Sequence, residues 1–176
     1  EQPSICLVTP CYNHANFVGD TIESVLLQVY PKLEYTVIND GSTDESEAVI
    51  RRYTEQLHHW ETWTGYRSSP AQAINHGFSF SDNEIMGWLN SDDLLIPESL
   101  FVVAEVFAQF PQVDWITGVA TTADLKGRYI RSRKYRKNKY DYLIGNWPVI
   151  QQESTFWRRS LWDSAGGGLS PSSVAF

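Results

Sequence analysis

The sequence predicts an α/β protein with a mostly parallel central sheet flanked by helices. Three observations predict it. Short apolar runs alternate with segments of helical spacing through most of the chain. Three of those runs end in polar loops, at Thr9-Pro10, Asn39-Asp40-Gly41 and Asn90-Ser91-Asp92-Asp93. The chain has 176 residues, 42% hydrophobic and 20% charged, which suits one domain with a sizeable core.

The elements follow in order. Ile5-Cys6-Leu7-Val8-Thr9 reads as a strand buried on both faces and ended by Pro10. Phe17, Val18, Ile22, Val25, Leu26 and Val29 fall at helical spacing, which predicts a helix over 15–29 stopped by Pro31. A second strand covers 35–39. Asp44 and Glu47 have capping-box spacing, which predicts a helix with Ala48, Tyr53 and Leu57 inward. A weaker strand is expected over 61–66, a short helix over 72–80 and a strand over 85–89. The spacing over 97–110 predicts a helix with Leu100, Val103, Ala104 and Phe107 inward. A strand at 113–118 follows, and the pattern weakens into short strands or a flexible excursion over 120–138. Residues 147–157 are partly extended, and a last helix over 158–165 stops at Gly166-Gly167-Gly168.

Alternating strands and helices imply βαβ units, and right-handed crossovers place the Thr9, Asp40 and Asp92 loops along one edge of the sheet. Ligands of open α/β sheets bind at that carboxyl edge. Asp92 and Asp93 repel each other unless a positive group lies beside them. Hard divalent cations are held by one or two carboxylates plus substrate phosphates, so the pair reads as a Mg²⁺ or Mn²⁺ site or as a helix-capping turn. Asp40 can accept hydrogen bonds from an imide N–H or a ribose, or it caps its own loop. Tyr12 can stack on a base or pack beneath the loop. The chain carries no glycine-rich phosphate cradle and no Gly-x-Ser-x-Gly elbow, which disfavours P-loop, hydride and serine-hydrolase chemistry. None of the four histidines has a partner at metal-ligand spacing, and none is assigned a role.

Net charge is −7, yet eight of the 14 Lys and Arg lie over 126–139, a segment with no acid. An acidic chain with one basic segment is not a general nucleic-acid binder. The segment reads as a solvated loop or as a contact for a phosphate or an acidic acceptor. Aromatics reach 14%, with seven Trp. Cys6 and Cys11 form neither a disulfide framework nor a zinc pattern, which fits a reducing, cytoplasmic setting. No apolar run approaches the ~20 residues that span a bilayer.

Several blocks together resemble the family 2 glycosyltransferases, inverting enzymes of the GT-A fold. They are Thr9-Pro10-Cys11-Tyr12-Asn13, Ser24-Val25-Leu26-Leu27-Gln28-Val29-Tyr30-Pro31 and Ile38-Asn39-Asp40-Gly41-Ser42-Thr43-Asp44. Ala73-Ile74-Asn75-His76-Gly77, Gly87-Trp88-Leu89-Asn90-Ser91-Asp92-Asp93 and 151–159 complete the set. The resemblance implies a UDP- or GDP-sugar donor, a divalent metal, and a glycan or glycolipid acceptor in surface polysaccharide biosynthesis. Asp40 matches the position that contacts the nucleoside, with Thr9 and Tyr12 lining the same pocket. Asp92 and Asp93 match the Asp-x-Asp region that holds ribose, metal and diphosphate. Asn90 replaces its first Asp, which shifts the metal to Asp92 and Asp93. On this reading 1–118 is the nucleotide-sugar half and 119–176 the acceptor-side half of one domain. The enzyme would sit in the cytoplasm, compatible with peripheral association at the inner face of a membrane.

Inversion needs a carboxylate that takes the acceptor hydroxyl's proton. Glu153 lies in a family-like block, whereas relatives often place the base in a later acidic motif with no obvious copy before Phe176. Either Glu153 is the base, or the base lies outside this sequence. Glu153 could instead pair with Arg158 or Arg159. The alternative function is a catalytically silent or truncated nucleotide-sugar-binding domain. A nucleotidyltransferase fits less well, because 10–17 contains no Lys or Arg.

Overall fold

The computed structural model describes residues 2–65, 69–124, 127–133, 140, 144 and 150–170. Its strands are β1 (Ile5–Cys11), β2 (Leu33–Asp40), β3 (His59–Trp63), β4 (Ile85–Trp88), β5 (Trp115–Thr117), β6 (Ala120–Ala123), β7 (Tyr129–Arg133) and β8 (Thr155–Arg158). Its helices are α1 (Val18–Leu26), α2 (Ser46–Ile50), α3 (Pro70–Phe78), α4 (Ser99–Gln109) and α5 (Arg159–Ser164). Among the described residues a six-stranded sheet runs β3-β2-β1-β4-β8-β5, and β6 and β7 form a separate hairpin. β1 to β4 are mutually parallel, and β8 runs antiparallel to both β4 and β5.

Both faces of the sheet are covered, which is why its central strands are apolar without alternation. On one face Ile5 and Leu7 pack with Val18, Ile22 and Val25 of α1 and with Leu100, Val103 and Phe107 of α4. On the other, Cys6, Val8 and Met86 pack with Ile74 and Phe78 of α3 and with Trp157. α3 lies so close to β1 that a Cβ on Gly77 would stand 2.4 Å from Val8 Cγ1. All four residues expected inward on α4 are buried.

The strand order sets the site. From β1 the chain moves outward to β2 and β3, then crosses back to β4 on the other side of β1. The reversal leaves a crevice between the loops that leave β1 and β4, where ligands of such sheets bind. Cys11 pairs with Asn39 and Asp40 with Trp63, so β1, β2 and β3 end nearly level along one edge, while β4 stops at Trp88, level with Val8.

Several boundaries differ from the sequence expectation. β1 continues through Pro10, because β4 ends level with Val8 and leaves β1 with a free side, where the missing N–H breaks no ladder bond. α1 spans 18–26 rather than 15–29. Its last turn is diverted where Gln28 donates to Ile96 O at 3.0 Å and accepts from Leu100 N at 3.3 Å, and Val29 takes φ 49°. α2 has no side-chain cap and exposes Ala48, with Ser46 and Ile50 as its buried residues. β3 lies at 59–63 rather than 61–66, and Tyr66 is outside the described residues. α3 begins at Pro70 rather than Gln72, capped reciprocally by Ser69 and Gln72. α5 ends in two glycines of positive φ, Gly166 at 108° and Gly167 at 67°. Within the basic segment, Lys126, Lys134, Arg136, Lys137 and Lys139 are outside the described residues. Arg128 ion-pairs with Asp124 at 2.7 Å.

Candidate active site at the carboxyl edge of the sheet

The crevice has a volume of about 380 Å³. The end of β1 contributes Pro10 and Cys11, the loop after it Tyr12 and His14, and Asp40 stands at the end of β2. Pro70 closes one side from the start of α3, and Asn90, Ser91, Asp92 and Asp93 form the opposite wall. Tyr12, Asp40, Asp92 and Asp93, four residues singled out from the sequence, therefore share one cavity. Asp40 is 2% exposed. Asp92 is exposed, and Tyr12 is half-buried.

Thr9 is the exception. It is fully buried within β1, and its hydroxyl is hydrogen-bonded to Tyr35 O–H at 2.8 Å. Strand alternation places Thr9 with Ile5 and Leu7 on the α1 side, so its side chain supports the crevice floor and does not line the cavity.

The first two loops are sewn together. Asn13 N donates to Ser42 Oγ at 2.9 Å, and Asn13 Oδ1 accepts from Thr43 N at 2.7 Å. His14 N donates to Ser46 Oγ at 3.0 Å. Asp44 accepts from Ala15 N at 2.9 Å and from Ser46 N at 3.0 Å. Burial pushes the Asp44 carboxyl up, but the donors from Ser46 and Ala15 outweigh it and hold the group below the ordinary carboxylate range. Asn13 takes φ 54°, a conformation Asn tolerates better than most residues. Sequence reasoning assigns Asn13 and His14 no role. An Asn beside a strand end is the available signal for Asn13.

The fourth loop has the opposite character. Asn90 N–H₂ donates to Asp93 Oδ2 at 3.3 Å, and Asp93 N donates to Asn90 O at 3.1 Å. Asn90 thus braces Asp93 through its amide. Asp93 is nonetheless pushed up to about 6, first by burial and then by the negative charges of Glu153 and Asp92. Glu153 therefore stands near enough for its charge to act on Asp93, though it does not line the crevice. The β4–β8 ladder ends at Gly87↔Phe156, and Glu153 lies just before β8 begins at Thr155. A short 3₁₀ turn (Gln152–Ser154) carries it, anchored where Gln152 Nε2 donates to Trp88 O. Gln151 Nε2 donates to Glu153 Oε1. Pairing of Glu153 with Arg158 or Arg159 is not what holds it. Arg158 donates to Val113 O, Phe107 O and Glu84, and Arg159 donates to Asn83 O.

Among the described residues no three His, Cys, Asp or Glu side chains are grouped to hold a metal by themselves. Two adjacent carboxylates and the Asn90 amide still suit a hard cation that takes its remaining oxygens from a bound phosphate. Burial raises Asp93 first and the charges of Glu153 and Asp92 add to it, and such a cation would offset those charges.

A mostly parallel sheet with an acidic crevice at its switch point defines a doubly wound α/β fold, whose ligands bind at that edge. The family 2 glycosyl transferase model matches residues 6–164, and the chain belongs to that family. An uncharacterized glycosyltransferase of Rickettsia typhi is 33% identical over 99 residues, 56% of this chain and 30% of the relative. The poly-β-1,6-N-acetyl-D-glucosamine synthase of Staphylococcus epidermidis is 29% identical over 114 residues, 65% of this chain and 28% of the relative. The chain thus spans under a third of either relative. Among solved structures, S. aureus TarS 1–349 in complex with UDP superposes with a TM-score of 0.73 at 16% identity, over 96% of this chain and 51% of that one. The mannosyltransferase PcManGT of Pyrobaculum calidifontis, in complex with GDP-Man and Mn²⁺, gives 0.68 at 21%, over 97% and 48%. These likenesses establish the GT-A fold. No helix among the described residues is long and apolar enough to cross a membrane.

Proposed function

We propose that this chain binds a UDP- or GDP-sugar and carries the catalytic centre of an inverting glycosyltransferase that extends a surface glycan or glycolipid. The observation that carries the reading is the shared crevice. One wall holds Asp40 and Tyr12, suited to a nucleoside. The other holds Asp92 and Asp93, suited to Mg²⁺ or Mn²⁺, with Glu153 close behind. Relatives named for polysaccharide synthesis and neighbours holding UDP, UDP-GlcNAc or GDP-Man support it.

In this reading Asp40 accepts hydrogen bonds from the base or ribose, and Tyr12 packs against the base. Asp92 and Asp93 would hold a divalent cation, which when bound neutralises the diphosphate leaving group. Glu153 accepts the proton of the acceptor hydroxyl as that oxygen attacks the anomeric carbon from the face opposite the diphosphate. The 119–176 segment supplies the acceptor side, and the protein works in the cytoplasm or at the inner face of a membrane as a peripheral protein.

The test is turnover of UDP-GlcNAc and GDP-mannose, read as release of the nucleoside diphosphate with Mn²⁺ and with EDTA. Metal-dependent release from one donor is expected. A second reading, a nucleotide-sugar-binding domain whose base lies elsewhere, is favoured by the partial span of the relatives. Tight donor binding without any release would select it.

A further inference from the structure

We propose that His14 is a ligand of the donor's diphosphate, donating from Nε2 to a phosphate oxygen while Ser91 braces the ring through Nδ1. The proposal rests on the reading of the crevice as a nucleotide-sugar site.

His14 lines the crevice on the loop after β1, facing the wall that carries the carboxylates. Its ring is held at two points. Nδ1 is 2.7 Å from Ser91 Oγ, and Phe17 meets the ring edge-on at 6.0 Å between centroids. Its backbone N–H is tied to Ser46 at 3.0 Å, so the whole residue is fixed in place. Ser91 is 2% exposed and immediately precedes Asp92, so one contact positions both the imidazole and the carboxylate loop. With Nδ1 engaged by Ser91, Nε2 is the ring's remaining polar atom and has no hydrogen-bond partner among the described residues.

The charge balance of the crevice gives that atom a purpose. Among the lining residues Asp92 and Asp93 stand on the wall that His14 faces. A diphosphate entering this acidic space needs donors as well as a cation. His14 offers a ring N–H donor there, and it bridges the nucleoside side of the crevice to its acidic side.

A purely structural strut would share the Ser91 bond but not the ligand contact. His14→Asn and His14→Gln separate the two. The Asn amide reaches the Nδ1 position and ends short of Nε2, and the Gln amide reaches the Nε2 position and gives up the Ser91 contact. UDP, GDP, uridine and guanosine are titrated with Mn²⁺ into wild type and both variants, with the nucleosides followed by ligand-observed NMR. His14→Asn is expected to weaken the preferred diphosphate about tenfold, the effect of losing one charge-assisted hydrogen bond, and to leave the matching nucleoside unchanged. His14→Gln is expected to recover part of the diphosphate affinity. Unchanged diphosphate binding in His14→Asn, or equal losses for diphosphate and nucleoside, overturns the role of His14 and leaves the donor site standing. Wild type that binds neither diphosphate overturns both.

Discussion

The two walls of the crevice are built on opposite principles. The wall proposed to take the nucleoside, formed by the loops after β1 and β2, is closed by hydrogen bonds that Asn13, His14, Ala15 and Asp44 make across it. Its carboxylate at Asp44 is satisfied and held low. The wall formed by the loop after β4 carries Asp92 and Asp93, with the charge of Glu153 acting on it, and Asp93 is raised. One wall is tied by its own hydrogen bonds, and the other holds a carboxyl raised first by burial and then by neighbouring negative charge, which a cation would offset. On the proposed reading the contrast divides selectivity from chemistry: shape on the first side, charge on the second.

The largest expected effect tests the charged side. Glu153→Gln should lower transfer by about 10³-fold, within the usual range for a general base, with donor affinity retained. The same substitution removes one of the charges that raise Asp93. Transfer rates with donor at saturation check this, and a loss below tenfold would move the base elsewhere.

Next comes the sewn wall. Asn13→Ala deletes the acceptor used by Thr43 and leaves Ala at φ 54°. A loss of about 2 kcal/mol is expected from the left-handed backbone and the missing bonds together. Asn13→Gly should lose only about half as much, since Gly tolerates that φ. Chemical denaturation of both variants separates the two contributions.

The smallest effect has the opposite sign. Asp93→Asn should stabilise the unliganded protein at pH 7.5 by about 1 kcal/mol, after allowing for solvent screening of a partly exposed group. The native carboxyl titrates at about 6, above its unfolded value of about 3.9, so ionising it costs stability. That cost is complete above about pH 6 and absent below about pH 4, and the advantage of the Asp93→Asn variant should fade across the same window. Melting temperatures from pH 4 to pH 8 would show it. A constant offset would mean that charge is not the cause.

Much of this arrangement is legible in the sequence. Periodicity gives the inner face of α4 residue by residue, and strand–helix alternation brings Asp40 and Asp92 to one edge without any contact being known. The misses have physical causes. The apolar run suggests that β1 ends at Thr9, yet the strand runs to Cys11 and alternation turns Thr9 inward onto Tyr35. The start of α3 is legible in Ser69-Pro70-Ala71-Gln72, but apolar spacing alone points two residues further on. The early end of α1 is not legible, because Gln28 is recruited by Ile96 and Leu100, some 70 residues on. Insertion of β8 between β4 and β5 is likewise non-local, and it is what brings Glu153 near Asp93. His14 is hidden for the same reason, since its partner Ser91 lies 77 residues away.

The central claim is that the acidic wall completes a nucleotide site only with a cation. Calorimetric titration of UDP and GDP into wild type and Asp92→Ala, with Mn²⁺, Mg²⁺ or EDTA, tests it most directly. The account predicts that one nucleotide binds with metal, at least tenfold more weakly in EDTA, and that Asp92→Ala binds equally weakly in both. Binding that is indifferent to metal in wild type, or unchanged by Asp92→Ala, would contradict it.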